Sequence, residues 1–174
     1  NLLIGLQKCF EENATHVVEI HGDGQYDLKF LPEMFEKFNE NNDLVLGNRF
    51  YKNKIALQNG MPIYIYLGNH LLTFIGSIGL GLKSRDLFPG FRGYSRKFFE
   101  TINRTNFSNG YQFSFEIIAK SHFEKLKIAS VPCENHYEGL TAPLSYVFAC
   151  YMNTIWVCFL FRLAKIGIKL GIYK

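Results

Sequence analysis

The run His16-Val17-Val18-Glu19-Ile20-His21-Gly22-Asp23-Gly24-Gln25-Tyr26-Asp27 restricts the fold more than any other part of this chain. An apolar stretch of strand character feeds into an acidic, glycine-bearing loop, and an amphipathic helix opens near Phe30-Leu31-Pro32-Glu33. A strand that ends this way puts a carboxylate at the carboxyl edge of a sheet, where open α/β sheets hold ligands. The two glycines allow a tight turn and a close approach of a ligand to the backbone. Asp23, Gln25, Asp27 and His21 offer hard oxygens and one imidazole, a donor set suited to Mg²⁺ or Mn²⁺ bound together with a phosphate. A plain strand-to-helix turn would use the same Gly and Asp residues. An EF-hand calcium loop would not. Starting it at His21 puts Tyr26 where the sharp turn needs glycine and Pro32 where the bidentate glutamate belongs, and starting it at Asp23 puts Leu28 and Met34 there.

At 174 residues and 48% hydrophobic content, the chain has enough apolar material for one domain with a core. Disorder is excluded on the same ground. Cys9, Cys133, Cys150 and Cys158 form no C-x-x-C pair, so we expect reduced thiols and a cytosolic setting. Asn1 to Leu6 lacks the basic start of a signal peptide. Charge is divided along the chain. Residues 1–43 hold nine of the 15 acidic side chains and three of the 19 basic ones, and no acid lies between Asp43 and Asp86 or after Glu138. An acidic front beside a cationic rear suits a ligand that carries both a cation and phosphates. Nucleic acid is not expected as a partner, because there is no basic–aromatic motif of the RNA-binding kind.

In chain order, residues 2–13 predict a helix, followed by the strand 16–20 and a second helix over about 30–41. Asp43-Leu44-Val45-Leu46-Gly47 predicts a buried strand that delivers Asn48-Arg49-Phe50 at its end. Two strands joined by one helix form a βαβ unit, for which right-handed parallel pairing is strongly favoured. This predicts a mostly parallel sheet flanked by helices, with Arg49 near Asp23 and able to grip a diphosphate with its forked guanidinium. A doubly wound sheet opens on a strand, so the chain reads as N-terminally truncated. Met61 to Leu82 carries no charge and predicts one or two closely packed or lipid-touching helices, with His70 read as a core histidine. Asp86 and Arg92 flank the Pro89-Gly90 turn, and Ser95 is placed to cap a helix beginning at Arg96. A helix over 110–123 and a strand ending at Val131-Pro132 follow.

Gly139 to Phe161 is uncharged and long enough to span a bilayer. Yet Thr154, Cys158, Arg162, Lys165 and Lys169 share one helical face, opposite Ile155, Trp156, Phe159, Leu163, Ile166 and Leu170. That pattern predicts an amphipathic helix lying in an anionic membrane surface. It sets a division into a domain over 1–143 and a surface helix over 144–174.

Taken in order, Val17 to Asp27, Leu46-Gly47-Asn48-Arg49-Phe50, Asp86 to Ser95 and Ile128-Ala129-Ser130-Val131-Pro132 resemble the family 2 glycosyltransferases of the dolichol-phosphate mannosyltransferase type. The resemblance covers about residues 1–165. It implies a GT-A fold and an inverting, metal-dependent hexosyltransferase that moves a sugar from a nucleotide-sugar to an acceptor. That acceptor would be a polyprenyl or dolichyl phosphate or a cell-envelope glycan, handled at the cytosolic face of a membrane. It implies that Asp23 is the second acid of the metal motif, with Gln25 and His21 beside it. Arg49 would be the donor-phosphate arginine, with Gly90 and Arg92 on the acceptor side. Asp86 would be the base if the acceptor is a hydroxyl. His21 stands where the family's first acid lies, Pro89 replaces its serine, and the family's opening strand and P-x-Y/F-N-E segment have no counterpart. The reading from another class is a non-catalytic membrane-surface module in which His21–Asp27 is only a turn. A phosphotransferase is disfavoured for want of a G-x-x-x-x-G-K-S/T loop.

Overall fold

A computed structural model describes residues 2–52, 54–110, 112–137, 144–168 and 171–173. The helices are α1 (Leu2–Glu11), α2 (Leu31–Asn39), α3 (Ile55–Gln58), α4 (Ile63–Leu80), α5 (Arg96–Ile102), α6 (Phe113–Phe123) and α7 (Leu144–Lys165). The strands are β1 (His16–Ile20), β2 (Leu44–Asn48), β3 (Phe91–Ser95) and β4 (Ile128–Pro132). The expected domain boundary at residue 143 and the positions of Lys169 and Leu170 lie outside the described residues.

The sheet runs β1-β3-β2-β4. β3 is antiparallel to both β1 and β2, while β2 and β4 are parallel. This corrects the expected mostly parallel sheet: it is mixed, and β1 and β2 point the same way without touching, because β3 lies between them. Phe91-Arg92-Gly93-Tyr94-Ser95 has neither the alternation nor the aliphatic run that marks a strand. It is nonetheless buried along its whole length. Arg92 is tolerated there because its Nε–H donates to the Pro89 carbonyl at 2.8 Å and its guanidinium donates to the Ser114 carbonyl at 3.1 Å. Buried polar groups survive when they are bonded in this way.

Side chains alternate across each strand, and the core divides accordingly. Leu44, Leu46 and Tyr94 face the layer built from α1, α5, α6 and α7, with Leu6, Phe10, Phe98, Phe115 and Phe161 around them. Val45, Phe91, Val131 and Cys133 pack on the other face against Met34 and Phe38 of α2. Ser95 caps α5 as its sequence position suggests, its hydroxyl accepting from the Phe98 amide at 3.0 Å. Asp43 pins three elements together: it accepts from the Lys127 amide at 2.9 Å and from Lys97 Nζ at 3.0 Å, and it lies 3.4 Å from the Ser95 hydroxyl.

α4 and α7 pack side by side. Arg162 of α7 donates to the Gly79 and Ile78 carbonyls at the end of α4, at 2.7 and 2.5 Å, and the Tyr151 hydroxyl donates to the Gly68 carbonyl at 3.0 Å. Their approach depends on Gly79, where an added Cβ would lie 2.2 Å from Cys158 Sγ and 2.5 Å from its Cβ. Gly79→Ala is therefore expected to cost about 1–3 kcal/mol, read as a lower midpoint of urea unfolding. An unchanged midpoint would show that the helices part without cost.

α7 is turned opposite to a helix that buries its apolar stripe. Thr154 and Cys158, from the expected polar face, are buried against the protein, whereas Phe148, Met152, Ile155, Trp156 and Phe159 are exposed. α4 does the same with Ile63, Leu67, Leu71, Phe74 and Ile78. By length and composition both helices could cross a membrane. Cys9, Cys133 and Cys158 form no disulfide.

Candidate active site at the carboxyl edge of the sheet

β1, β2 and β4 point the same way, so the segments after them gather at one edge of the sheet, where β3 begins. The loop after β1 is stitched to the segment after β4. Tyr26 and Asn135 form an isolated bridge, the His136 amide donates to the Gln25 carbonyl at 2.9 Å, and the Asp27 amide donates to the Glu134 carbonyl at 3.1 Å.

Asp23 stands at the exposed crest of this loop. One carboxylate oxygen accepts from the Gln25 amide at 3.1 Å, an Asx turn that holds the loop shape. Its other oxygen makes no hydrogen bond among the described residues. Gln25 is half-buried beneath it. His21 follows β1 directly and is exposed. Its ring lies over Gly90, where an added Cβ would come within 2.5 Å of it, and meets Tyr26 edge-on at a 6.0 Å centroid distance. Tyr26 accepts from the Gly90 amide at 2.7 Å and stacks on Phe91, and burial pushes its phenol up to about 12. Gly90 thus serves as the flat seat of an imidazole.

Arg49 and Asp86 meet each other. Arg49 donates from Nε at 2.7 Å and from its terminal nitrogen at 2.9 Å to the two oxygens of Asp86, whose carboxylate also accepts from the Arg49 and Phe88 amides at 3.2 and 3.1 Å. Arg49 donates further to the Phe88 carbonyl at 3.2 Å and to the Tyr137 hydroxyl at 3.3 Å. Burial works against the Arg49 charge, but the adjacent Asp86 carboxylate more than compensates and keeps the guanidinium protonated. This corrects two expectations. The fork expected to grip a donor diphosphate is occupied by a carboxylate, and the carboxylate expected to act as a base is spent on that fork. Arg92, expected on the acceptor side, is turned into the protein by its bonds to the Pro89 and Ser114 carbonyls.

A second acidic group completes the edge. Glu134 accepts from the Tyr51 hydroxyl, pairs with Lys29 at 2.9 Å and lies 3.5 Å from the Asn59 amide nitrogen. The Tyr51 hydrogen bond is the main cause that lowers its carboxyl below the ordinary range. Asp27 accepts from the Lys29 amide at 2.9 Å, which lowers its carboxyl in the same way. Asn135 is buried with its Oδ1 unpartnered. Sequence reading missed Glu134, Asn135, His136 and Tyr137. The rule applied to Ile20 and Gly47, a strand followed by a polar cluster, marks Cys133-Glu134-Asn135-His136-Tyr137 equally well.

No three His, Cys, Asp or Glu side chains among the described residues are grouped to hold an ion unaided. A hard divalent cation held by one carboxylate and completed by water and ligand phosphates is the usual magnesium arrangement, and the open oxygen of Asp23 suits that role. The residues fit a cation that arrives with its diphosphate.

A mixed sheet of this order, with helices on both faces and an acidic loop at its carboxyl edge, defines a GT-A-like α/β fold. Residues 1–102 match glycosyl transferase family 2, and the chain belongs to that family. Among solved structures it is similar to glucosyl-3-phosphoglycerate synthase from Mycobacterium tuberculosis. In complex with Mn²⁺, UDP-glucose and phosphoglyceric acid that enzyme is 18% identical with a TM-score of 0.53, over 84% of this chain and 50% of that one. A further structure of it is 20% identical with a TM-score of 0.53, over 94% and 54%. Two Haloferax volcanii proteins are similar in sequence. The low-salt glycan biosynthesis hexosyltransferase Agl6 is 28% identical over 115 residues, covering 66% of this chain and 27% of the relative. The glycosyltransferase AglJ is 25% identical over 119 residues, covering 68% and 38%. The chain thus spans well under half the length of the curated relatives it matches.

Proposed function

We propose that this chain is part of a metal-dependent, inverting hexosyltransferase that moves a sugar from a nucleotide-sugar to a polyprenyl phosphate at the cytosolic face of a membrane. The observation that carries the reading is Asp23: in a family 2 chain, the loop after β1 presents an exposed carboxylate at the ligand edge of the sheet. Asp23 would hold Mg²⁺ or Mn²⁺ together with the donor diphosphate, Gln25 would fix the loop, and His21 would line the floor beside it. When bound, a divalent cation neutralises charge on the departing nucleoside diphosphate. In the transfer an acceptor oxygen bonds to the anomeric carbon, the bond from that carbon to the donor phosphate breaks, and the nucleotide leaves with the electron pair. Arg49 and Asp86 act here as positioning residues that tie the end of β2 to the entry of β3.

The Arg49–Asp86 pair also bears on the acceptor. A hydroxyl acceptor needs a base, and Asp86 is not free to serve. A phosphate is already an anion and needs none, which favours a lipid phosphate over a glycan hydroxyl. Membrane association is supported by the outward apolar stripes of α4 and α7 and by the absence of any acid in α4 or α7, with basic residues beyond their ends. Exposed Trp156, its ring tilted against that of Phe159 at a 5.7 Å centroid distance, suits the headgroup level of a bilayer.

The test is transfer of labelled sugar from UDP- or GDP-hexoses to a short polyprenyl phosphate by the full-length protein, with and without Mn²⁺. We expect transfer that EDTA stops and that releases the nucleoside diphosphate. Failure with every donor, together with a flat thermal response to Mn²⁺ plus nucleotide-sugar, would leave the membrane-surface module as the better reading.

A further inference from the structure

A cavity of about 280 Å³ lies where α6, α7 and the single turn Gly171–Tyr173 meet the segment that follows α5. The site chemistry above uses none of it. Three polar side chains in its lining are short of partners. Tyr173 is 2% exposed and its hydroxyl has none, and the Ser108 hydroxyl is buried without one. Glu116 is 8% exposed. One of its carboxylate oxygens accepts from the Ser108 amide at 2.9 Å, and the other makes no hydrogen bond among the described residues. The Tyr173 ring is wedged against Phe123 and Phe161, at centroid distances of 5.0 and 6.0 Å, which keeps its hydroxyl from bulk water. Burial raises the Tyr173 phenol far above its ordinary range, and the Glu116 charge adds to the rise, so it stays a neutral hydroxyl. Leaving such groups unbonded is costly unless something arrives to meet them.

The sign of the ligand follows from the lining. Among the described residues Glu116 is the one charged side chain there, and no lysine or arginine lines the cavity with it. An anion would be repelled, and a neutral ligand would leave a buried charge uncompensated. The rings of Phe107 and Trp156 belong to the same lining, and aromatic faces attract cations. A bare metal ion is too small. One water takes up about 30 Å³ in the liquid, and the cavity is several times larger. The remaining wall is hydrocarbon, with Val157 and Ile172 both buried.

We propose that this cavity binds a primary alkylammonium group, whose carbon chain lies against Phe107, Val157 and Ile172. An ammonium carries three N–H donors and no acceptor. The free Glu116 oxygen and the Tyr173 and Ser108 hydroxyl oxygens are three acceptors for them. The site owes nothing to the sugar-transfer reading, and its occupancy is measurable without turnover.

The test is calorimetry on the full-length protein in a nonionic detergent, with hexylamine as the probe and hexanol and hexanoate for comparison. We expect saturable binding of hexylamine at pH 7 at least about tenfold tighter than either. Glu116→Gln keeps an oxygen for the Ser108 amide and removes the charge, so it should weaken hexylamine binding by at least about tenfold. Tyr173→Phe should weaken it by about fivefold. The hydroxyl it loses has no partner, so its thermal midpoint should not fall, and this variant carries the test if Glu116→Gln proves unstable. Equal affinity for hexanol, or unchanged affinity in the folded variants, overturns the proposal. Absence of saturable amine binding also overturns it and gives the cavity to ordered water. Two further probes separate the sources of the ammonium. Spermidine stands for a soluble amine, and lauroyl lysophosphatidylethanolamine below its micelle concentration stands for a lipid headgroup, with the matching lysophosphatidylglycerol as its control. Whichever binds tighter, and loses that affinity in Glu116→Gln, names the source.

Discussion

Asp23→Asn is expected to cut sugar transfer by the full-length enzyme by at least about 100-fold while leaving its thermal midpoint unchanged. The magnitude follows from removing one charge-stabilising group at a reacting phosphate, for which losses of about 10²–10³ are usual. The substitution is informative because of how the loop is built. Asparagine keeps the oxygen that accepts from the Gln25 amide, so the Asx turn survives and only the negative charge goes. A stability effect and a chemical effect are thereby separated. If the variant turns over at the parental rate, the cation is held elsewhere, and the acidic loop is no more than a turn.

The second large effect is on folding. Asp86→Leu is expected to destabilise the protein by about 3–5 kcal/mol, the usual consequence of leaving one partner of a buried ion pair behind. Against a typical stability of about 5–15 kcal/mol, that is enough to shift a urea transition well outside measurement error. Asp86 receives four hydrogen bonds, two from the Arg49 side chain and two from backbone amides, so its removal strands a guanidinium and two amide donors. The double variant Arg49→Met with Asp86→Leu should recover part of the loss, because no buried charge is then left unpaired. The four-member cycle measures the coupling directly. Strictly additive losses would mean that the two side chains act independently.

The sequence disclosed the elements that obey simple periodicities. β1, α2 and β2 carry clear apolar patterns, and Ser95 carries a capping signal, so each was legible within a residue or two. β3 was not. A strand containing a buried arginine and a glycine mimics a turn, and only the carbonyls of Pro89 and Ser114, distant from it or bent back onto it, explain why Arg92 is tolerated there. The candidate site was legible in composition and not in pairing. Asp23, Arg49, Asp86, Gly90 and His21 do gather near one edge of the sheet. Which charge neutralises which depends on side-chain direction, and linear order does not encode it. α7 shows the same limit: its two faces were plain from helical spacing, but spacing alone does not say which face turns outward.

The intervening β3 also sets a width. Neighbouring strands lie about 4.8 Å apart, so the tips of β1 and β2 are held two spacings, about 10 Å, apart with the start of β3 between them. Gly90 precedes that start and carries the imidazole of His21, where any side chain at position 90 would collide with the ring. The span exceeds a lone phosphate and is comparable to two joined phosphates and their counter-ion.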